Sequence, residues 1–285
     1  MTPLDLVKLT PVMEITSGRP EIGIGLIDGP VAPDHPAFAG KNIRELLGKS
    51  NDICTLTGSA ACQHGTFVAG ILCGSRNSQA PAICPDSSIV VRSIFSEENS
   101  TIATPEELAA AIIDCVKAGV RIINLSLALD LSSSANHRNL VDALSFAAEH
   151  NVIVVAAAGN QGTIGSSAIT RHQWVIPVVA YDLQGKPISL SNLAGSMGRR
   201  GLGAVGNKIT SLKADGGFQT LSGTSFAVPF VTGAIALLWS AFPSATAVQV
   251  KSALLQASSP RRKTITPPLL NAWAAYQFMK AQSLI

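Results

Sequence analysis

The chain has 285 residues, 47% of them hydrophobic and 14% charged, with a formal net charge of +3. So small a charge gives no basis for a nucleic-acid or membrane-surface partner, and the apolar content excludes a disordered chain. Sheet proteins of this length are commonly single domains, so length does not force a split; no linker, repeat or low-complexity tract interrupts residues 1–285, which are taken as one domain.

No apolar run approaches the ~18 residues of a membrane-spanning helix. The opening residues, MTPLDLVKLTPVMEIT, lack the charged start and apolar stretch of a signal peptide, so a cytoplasmic location is expected. Five cysteines (54, 62, 73, 84 and 115) make an odd set without C-x-x-C spacing, which argues against a disulfide framework and a zinc site. Cys54 and Cys62 are close enough in sequence to close a short loop, but free thiols are the expectation. The basic clusters Arg199-Arg200 and Arg261-Arg262-Lys263 read as solvated loops. No metal or cofactor is expected.

In chain order, EIGIGLI (21–27), SIVVRSI (88–94), VRIINLSL (120–127), NVIVVAAA (151–158) and WVIPVVA (174–180) predict strands buried on both faces. His64 precedes a short apolar helix ending near Gly74. TPEELAAAIIDCVKAG (104–119) predicts a helix with Thr-Pro at its start and Gly119 at its stop, and ANHRNLVDALSFAAEHN (135–151) predicts another. Strands alternating with helices imply right-handed crossovers and an α/β fold of three layers, a mainly parallel sheet flanked by helices. After residue 180 the pattern loosens into Gly- and Ser-rich connections, read as antiparallel strands or loops. Helices follow at 223–240, about 246–256 and 271–282.

Four features could carry chemistry. Asp28 ends the first apolar strand in GLIDGP, where a carboxylate is costly to bury without a partner; capping a turn is the plain alternative, and Asp34, between two prolines, is the rival acid. His64, in CQHGTFVAG, sits at a helix entry where its ring could link a carboxylate to a hydroxyl. Asn160 ends VVAAAGNQG, where an amide can donate to a developing negative charge or merely form a turn. Ser225, in GTSFAVPF, either caps a helix or reacts at its positive end.

The order Asp, His, Asn, Ser within IGIGLIDGP, QHGTFVAG, INLSLA, AAAGNQG and LSGTSFAVP resembles the subtilisin-like serine proteases, over about residues 20 to 257. The resemblance implies a subtilisin-like fold in which Asp28 orients His64, His64 is the general base and acid, and Ser225 is the nucleophile. Asn160 and the Ser225 N–H would form the oxyanion hole. It further implies a substrate pocket walled by Ser126, Leu127 and Ala128 on one side and by Ala156, Ala157, Ala158 and Gly159 on the other. The strand before Ser126 would pair with a peptide substrate in extended conformation. The chain departs from the family at Gly29, where Ser or Thr is usual, at Phe67, and in FAVPF (226–230). The loop CGSRNSQAPAICP has no carboxylate before Asp86, which weakens the case for the family's main calcium site.

DGPVAPDHPAF followed by ACQHGT is similar to the proteases that trim cyanobactin precursor peptides, which implies a precursor-peptide substrate. Two rivals belong to other classes. A catalytically silent subtilase fold would bind peptides only, and a dinucleotide enzyme, suggested by GIGLIDG, lacks the G-x-G-x-x-G spacing into a helix.

Overall fold

Two one-turn helices precede the first strand: α1 (Pro3–Leu6), closed by a capping box between Thr2 and Asp5, and α2 (Thr10–Met13). The computed structural model describes residues 1–46, 53–95, 97, 103–127, 137–258 and 264–283. The five apolar runs form the expected strands β1 (Ile24–Asp28), β3 (Ile89–Ser93), β4 (Ile122–Leu125), β5 (Ile153–Ala157) and β6 (Ile176–Tyr181), joined by a short β2 (Ile43–Glu45). With β7 (Leu202–Val205) they make a seven-stranded sheet in the order β2-β3-β1-β4-β5-β6-β7, parallel throughout.

Both faces of the sheet are covered, which is why its strands read as continuous apolar runs. Helix α3 (Ala60–Cys73) connects β2 to β3, α4 (Pro105–Lys117) connects β3 to β4, and α5 (Arg138–Glu149) connects β4 to β5. The one-turn α6 (Ala168–Arg171) and the short α7 (Gly195–Arg200) flank β6. After β7 comes an antiparallel hairpin, β8 (Ile209–Leu212) and β9 (Phe218–Leu221), then α8 (Thr224–Ala241), α9 (Ala247–Ala257) and α10 (Ala272–Gln282). Strand residues alternate between the layers: Ile122, Ile153, Val155 and Val178 join the core around α3 and α8, while Ile123, Val154 and Ala156 join the core under α4 and α5. The helix ends follow their signals. Thr104 and Glu107 close a capping box on α4, and Gly119 leaves it in the left-handed region at φ 80°.

Several expectations need correction. The segment after residue 180 is not wholly loop or antiparallel, because β7 continues the parallel sheet; Gly203 allows this, since a Cβ there would lie 2.4 Å from the Tyr181 ring. Helix α8 does reach membrane-spanning length, 18 residues with mean hydropathy 1.5, but 94% of it is buried among the other elements. A helix at the centre of a large core has to be apolar on every side. Cys54 and Cys62 form a disulfide with Cα atoms 5.5 Å apart. Ser59 caps α3 by accepting from the Cys62 N–H, which turns the incoming loop back beside the first helical turn. Cys73, Cys84 and Cys115 remain free and buried, and burial pushes all three thiols up. Arg200 is half-buried at the end of α7, where its guanidinium donates to the Arg171 carbonyl at 2.9 Å rather than standing in solvent. Residues 261–263 lie outside the described residues.

The closest packing joins α3 to the end of β1. A Cβ on Gly65 would stand 2.2 Å from the Gly29 carbonyl oxygen, and one on Gly29 would stand 2.1 Å from the Ala61 carbonyl oxygen. The helix therefore rests directly on the Gly29–Pro30 backbone. Gly65→Ala is expected to destabilise the fold by about 1–3 kcal/mol, read as a lower urea midpoint at unchanged slope. Gly58→Ala, where a Cβ meets nothing within 4 Å, should leave the midpoint in place.

Candidate active site

The chain changes direction across the sheet between β1 and β4: from β1 it goes to β2 at the edge and back to β3 on one side, then crosses to β4 and builds outward to β5, β6 and β7 on the other. Crevices at the carboxyl ends of strands flanking such a reversal are where parallel sheets hold ligands. Asp28 closes β1 at this point and Ser126 follows β4.

Asp28 is fully buried. Its Oδ1 accepts the Gly29 N–H at 2.7 Å and meets His64 Nδ1 at 2.6 Å, while its buried Oδ2 has no partner. The rival Asp34 is exposed. His64 lies in the second turn of α3, not at its entry, because Ser59 starts the helix earlier than the apolar pattern suggested. Burial of the ring pulls its pKa down, but the charge of Asp28 and the hydrogen bond to it together outweigh this and hold it above the usual histidine value. With Nδ1 committed to Asp28, Nε2 is the nitrogen left for a hydroxyl.

Ser225 is the second residue of α8, half-buried, among the N–H groups that a helix start leaves unpaired. The His64 ring packs on Phe226, the next residue, with centroids 5.3 Å apart. Ser225 Oγ and His64 make no hydrogen bond with each other among the described residues, so the site shows the His64–Asp28 contact alone. Asn160 lies just beyond β5. Its Oδ1 accepts both the N–H and the hydroxyl of Thr224, each at 2.9 Å, which fixes the amide's orientation. The amide nitrogen lies 3.5 Å from where a Gly223 Cβ would sit, beside the start of α8. Thr224 also accepts the Gly159 N–H at 3.3 Å, so one hydroxyl ties the end of β5 to the helix.

A second anchor, absent from the sequence expectations, is Asn192. It is fully buried, and its Oδ1 accepts from the N–H groups of Gln161 and Thr163 at 3.1 Å and from the Thr163 hydroxyl at 3.2 Å. Its backbone N–H donates to the Gly159 carbonyl at 3.0 Å. A Cβ on Gly159, at φ 106°, would lie 2.3 Å from its amide nitrogen. The turn that carries Asn160 is thus clamped from both sides.

The expected pocket walls flank this crevice. Ser126 and Leu127 lie past the last ladder pair of β4, and Ala156, Ala157, Ala158 and Gly159 run along and beyond the end of β5. The alanine side chains are buried in apolar clusters, so whatever they offer a ligand comes from the backbone. Ala128 lies outside the described residues. β4 itself is paired on both edges, to β1 and β5, so it has no free edge for a substrate strand. Among the described residues, the grouping with metal-ligand atoms close together is Cys54, Cys62 and Glu97, and its two sulfurs are tied in the disulfide.

The sequence profile of the Subtilase family matches residues 20–272. The chain belongs to the subtilase family. This subtilase is 31% identical to a "Thermophilic serine proteinase" of Bacillus sp. (strain AK1) over 79% of its own length and 54% of that protein's. It therefore spans about half the length of this curated relative. Among solved structures it resembles a mutant of the protease domain of PatA, with TM-score 0.86 and 31% identity over 93% of this chain and 97% of that one. The prenylagaramide maturation protease PagA matches with TM-score 0.84 and 31% identity, over 94% and 97%.

The departures from the family pattern are matters of packing. Gly29 stands where Ser or Thr is usual because α3 leaves no room for a Cβ there. Phe67, fully buried, packs on Phe226 with centroids 4.7 Å apart, and Phe226 in turn supports the His64 ring. If His64 acts as a base it must be neutral, and its pKa is raised. Any hydrolysis that uses His64 as base should therefore show a kcat/KM that rises with pH through an ionisation above the ordinary histidine value of about 6.5. Steady-state rates across buffers check this, and full activity at pH 5 would contradict it. Asn192→Ala should lower kcat by about 10-fold or more with a smaller change in KM, measured on a peptide amide substrate.

Proposed function

We propose that this domain is a serine endopeptidase that forms an acyl-enzyme at Ser225. The observation that carries the reading is the 2.6 Å contact between His64 Nδ1 and buried Asp28, set beside a serine in the first turn of α8. Asp28 holds the imidazole in the tautomer with its proton on Nδ1, so Nε2 is free to take the Ser225 proton as Oγ attacks the scissile carbonyl. The developing oxyanion is met by the Asn160 amide and the Ser225 N–H, a reading supported by the bonds that tie Asn160 to Thr224. His64 then returns the proton to the leaving amine, and water repeats the sequence to release the acyl group. The substrate lies extended along Ser126 and Leu127 after β4, with its side chain between these and residues 156–159.

The PatA and PagA likeness supports a narrower substrate, a ribosomally made precursor peptide cut at one junction. In that role the enzyme works in the cytoplasm, where its precursor is made. A fluorophosphonate probe should add once to the wild-type protein by intact mass and not at all to Ser225→Ala. Equal labelling of both, or of neither, would reject the assignment. Asn160→Ala should lower kcat by about 10²–10³. Cleavage of a mixed peptide library should give one dominant junction; broad cutting would favour general degradation.

A further inference from the structure

A proline inside a helix removes the donor for the carbonyl four residues earlier, and its ring crowds that carbonyl. α8 contains Pro229, and the carbonyl four residues earlier is that of Ser225. The sequence thus deprives the proposed nucleophile's own carbonyl of its helical partner. The sheet supplies a replacement: Ser126 Oγ donates to the Ser225 carbonyl at 2.9 Å. Ser126 in turn accepts from Asn124 Nδ2 at 2.8 Å, and Asn124 Oδ1 accepts from Thr232 Oγ1 at 2.8 Å. Asn124 and Thr232 are fully buried and Ser126 is 2% exposed, so no water competes for these groups. The chain of donors leaves α8 at Thr232, crosses β4, and returns to α8 about two turns earlier at Ser225.

Each link fixes the next. A threonine inside a helix ordinarily bonds a carbonyl of the preceding turn or faces solvent; Thr232 reaches across to the sheet instead. Its proton occupies the Asn124 oxygen, which turns the Asn124 amide toward Ser126. With that donor on one of its two lone pairs, the Ser126 hydroxyl gives its proton to the Ser225 carbonyl. We infer that Asn124 and Thr232 are positioning residues for Ser225. They hold the Ser126 hydroxyl as a substitute helix donor, which sets the first turn of α8 and so the place of Ser225 Oγ relative to His64. The inference rests on Ser225 being the nucleophile.

Pro229→Ala tests it, because an alanine restores an N–H for the Ser225 carbonyl and makes the Ser126 donor redundant. In the wild-type background Ser126→Ala should lower kcat by roughly 10-fold at nearly constant KM, and Thr232→Val should lower it by a few-fold. In the Pro229→Ala background both penalties should shrink to less than about twofold, a non-additivity expected of groups sharing one acceptor. Equal penalties in the two backgrounds, or a Ser126→Ala effect confined to KM, would overturn the relay. Thermal midpoints of every variant accompany the rates; if Ser126→Ala does not fold, the Thr232→Val cycle alone decides. A wild-type protein that fails to take the fluorophosphonate defeats the nucleophile itself. A labelled protein with additive cycles defeats only the relay.

Discussion

The site depends on one close approach, the seating of α3 on the Gly29–Pro30 backbone. Two glycines and an alanine, Gly29, Ala61 and Gly65, let the helix come within backbone contact of the end of β1. At that separation His64 reaches Asp28 at 2.6 Å. A methyl group on either glycine would collide with a carbonyl oxygen, so helix and strand would part and the ring would lose its acceptor. The short contact also explains why a buried carboxylate is tolerable: Asp28 gains the Gly29 N–H and the imidazole in place of water.

The rest of the molecule holds the partners of that pair still. Thr224 and Asn192 lock the turn bearing Asn160, the first by fixing the amide's direction and the second by gathering the N–H groups of Gln161 and Thr163. Phe226 packs against the His64 ring and is itself braced by Phe67. Thr224 and Asn192 are themselves fully buried, where an unmet hydrogen bond is costly. These bonds constrain the turn that bears Asn160 relative to the start of α8.

Much of this was legible in the sequence because the signals were local. An Asp after five apolar residues, an Asn among glycines and a Gly-Thr-Ser opening an apolar helix each mark a polar group at the end of a buried element. Features that depend on two distant segments were not legible. Asn124 sits in mid-strand and Thr232 in mid-helix, and neither is notable until α8 is laid across β4. Asn192 lies in a stretch that reads as plain loop, and its importance comes from the turn packed beside it. β7 is only four residues long and includes a glycine, so its period was too brief to read. The Cys54–Cys62 bridge follows from the turn that Ser59 imposes, which residue spacing alone does not give.

The most direct test of the account is proton NMR of the His64 ring in the wild-type protein and in Asp28→Asn. The account predicts a far-downfield N–H resonance in the wild type, absent from the variant, and a ring that titrates above the ordinary value of about 6.5. A wild-type spectrum without that resonance, with the ring titrating at or below the ordinary value, would contradict the pairing on which everything else is built.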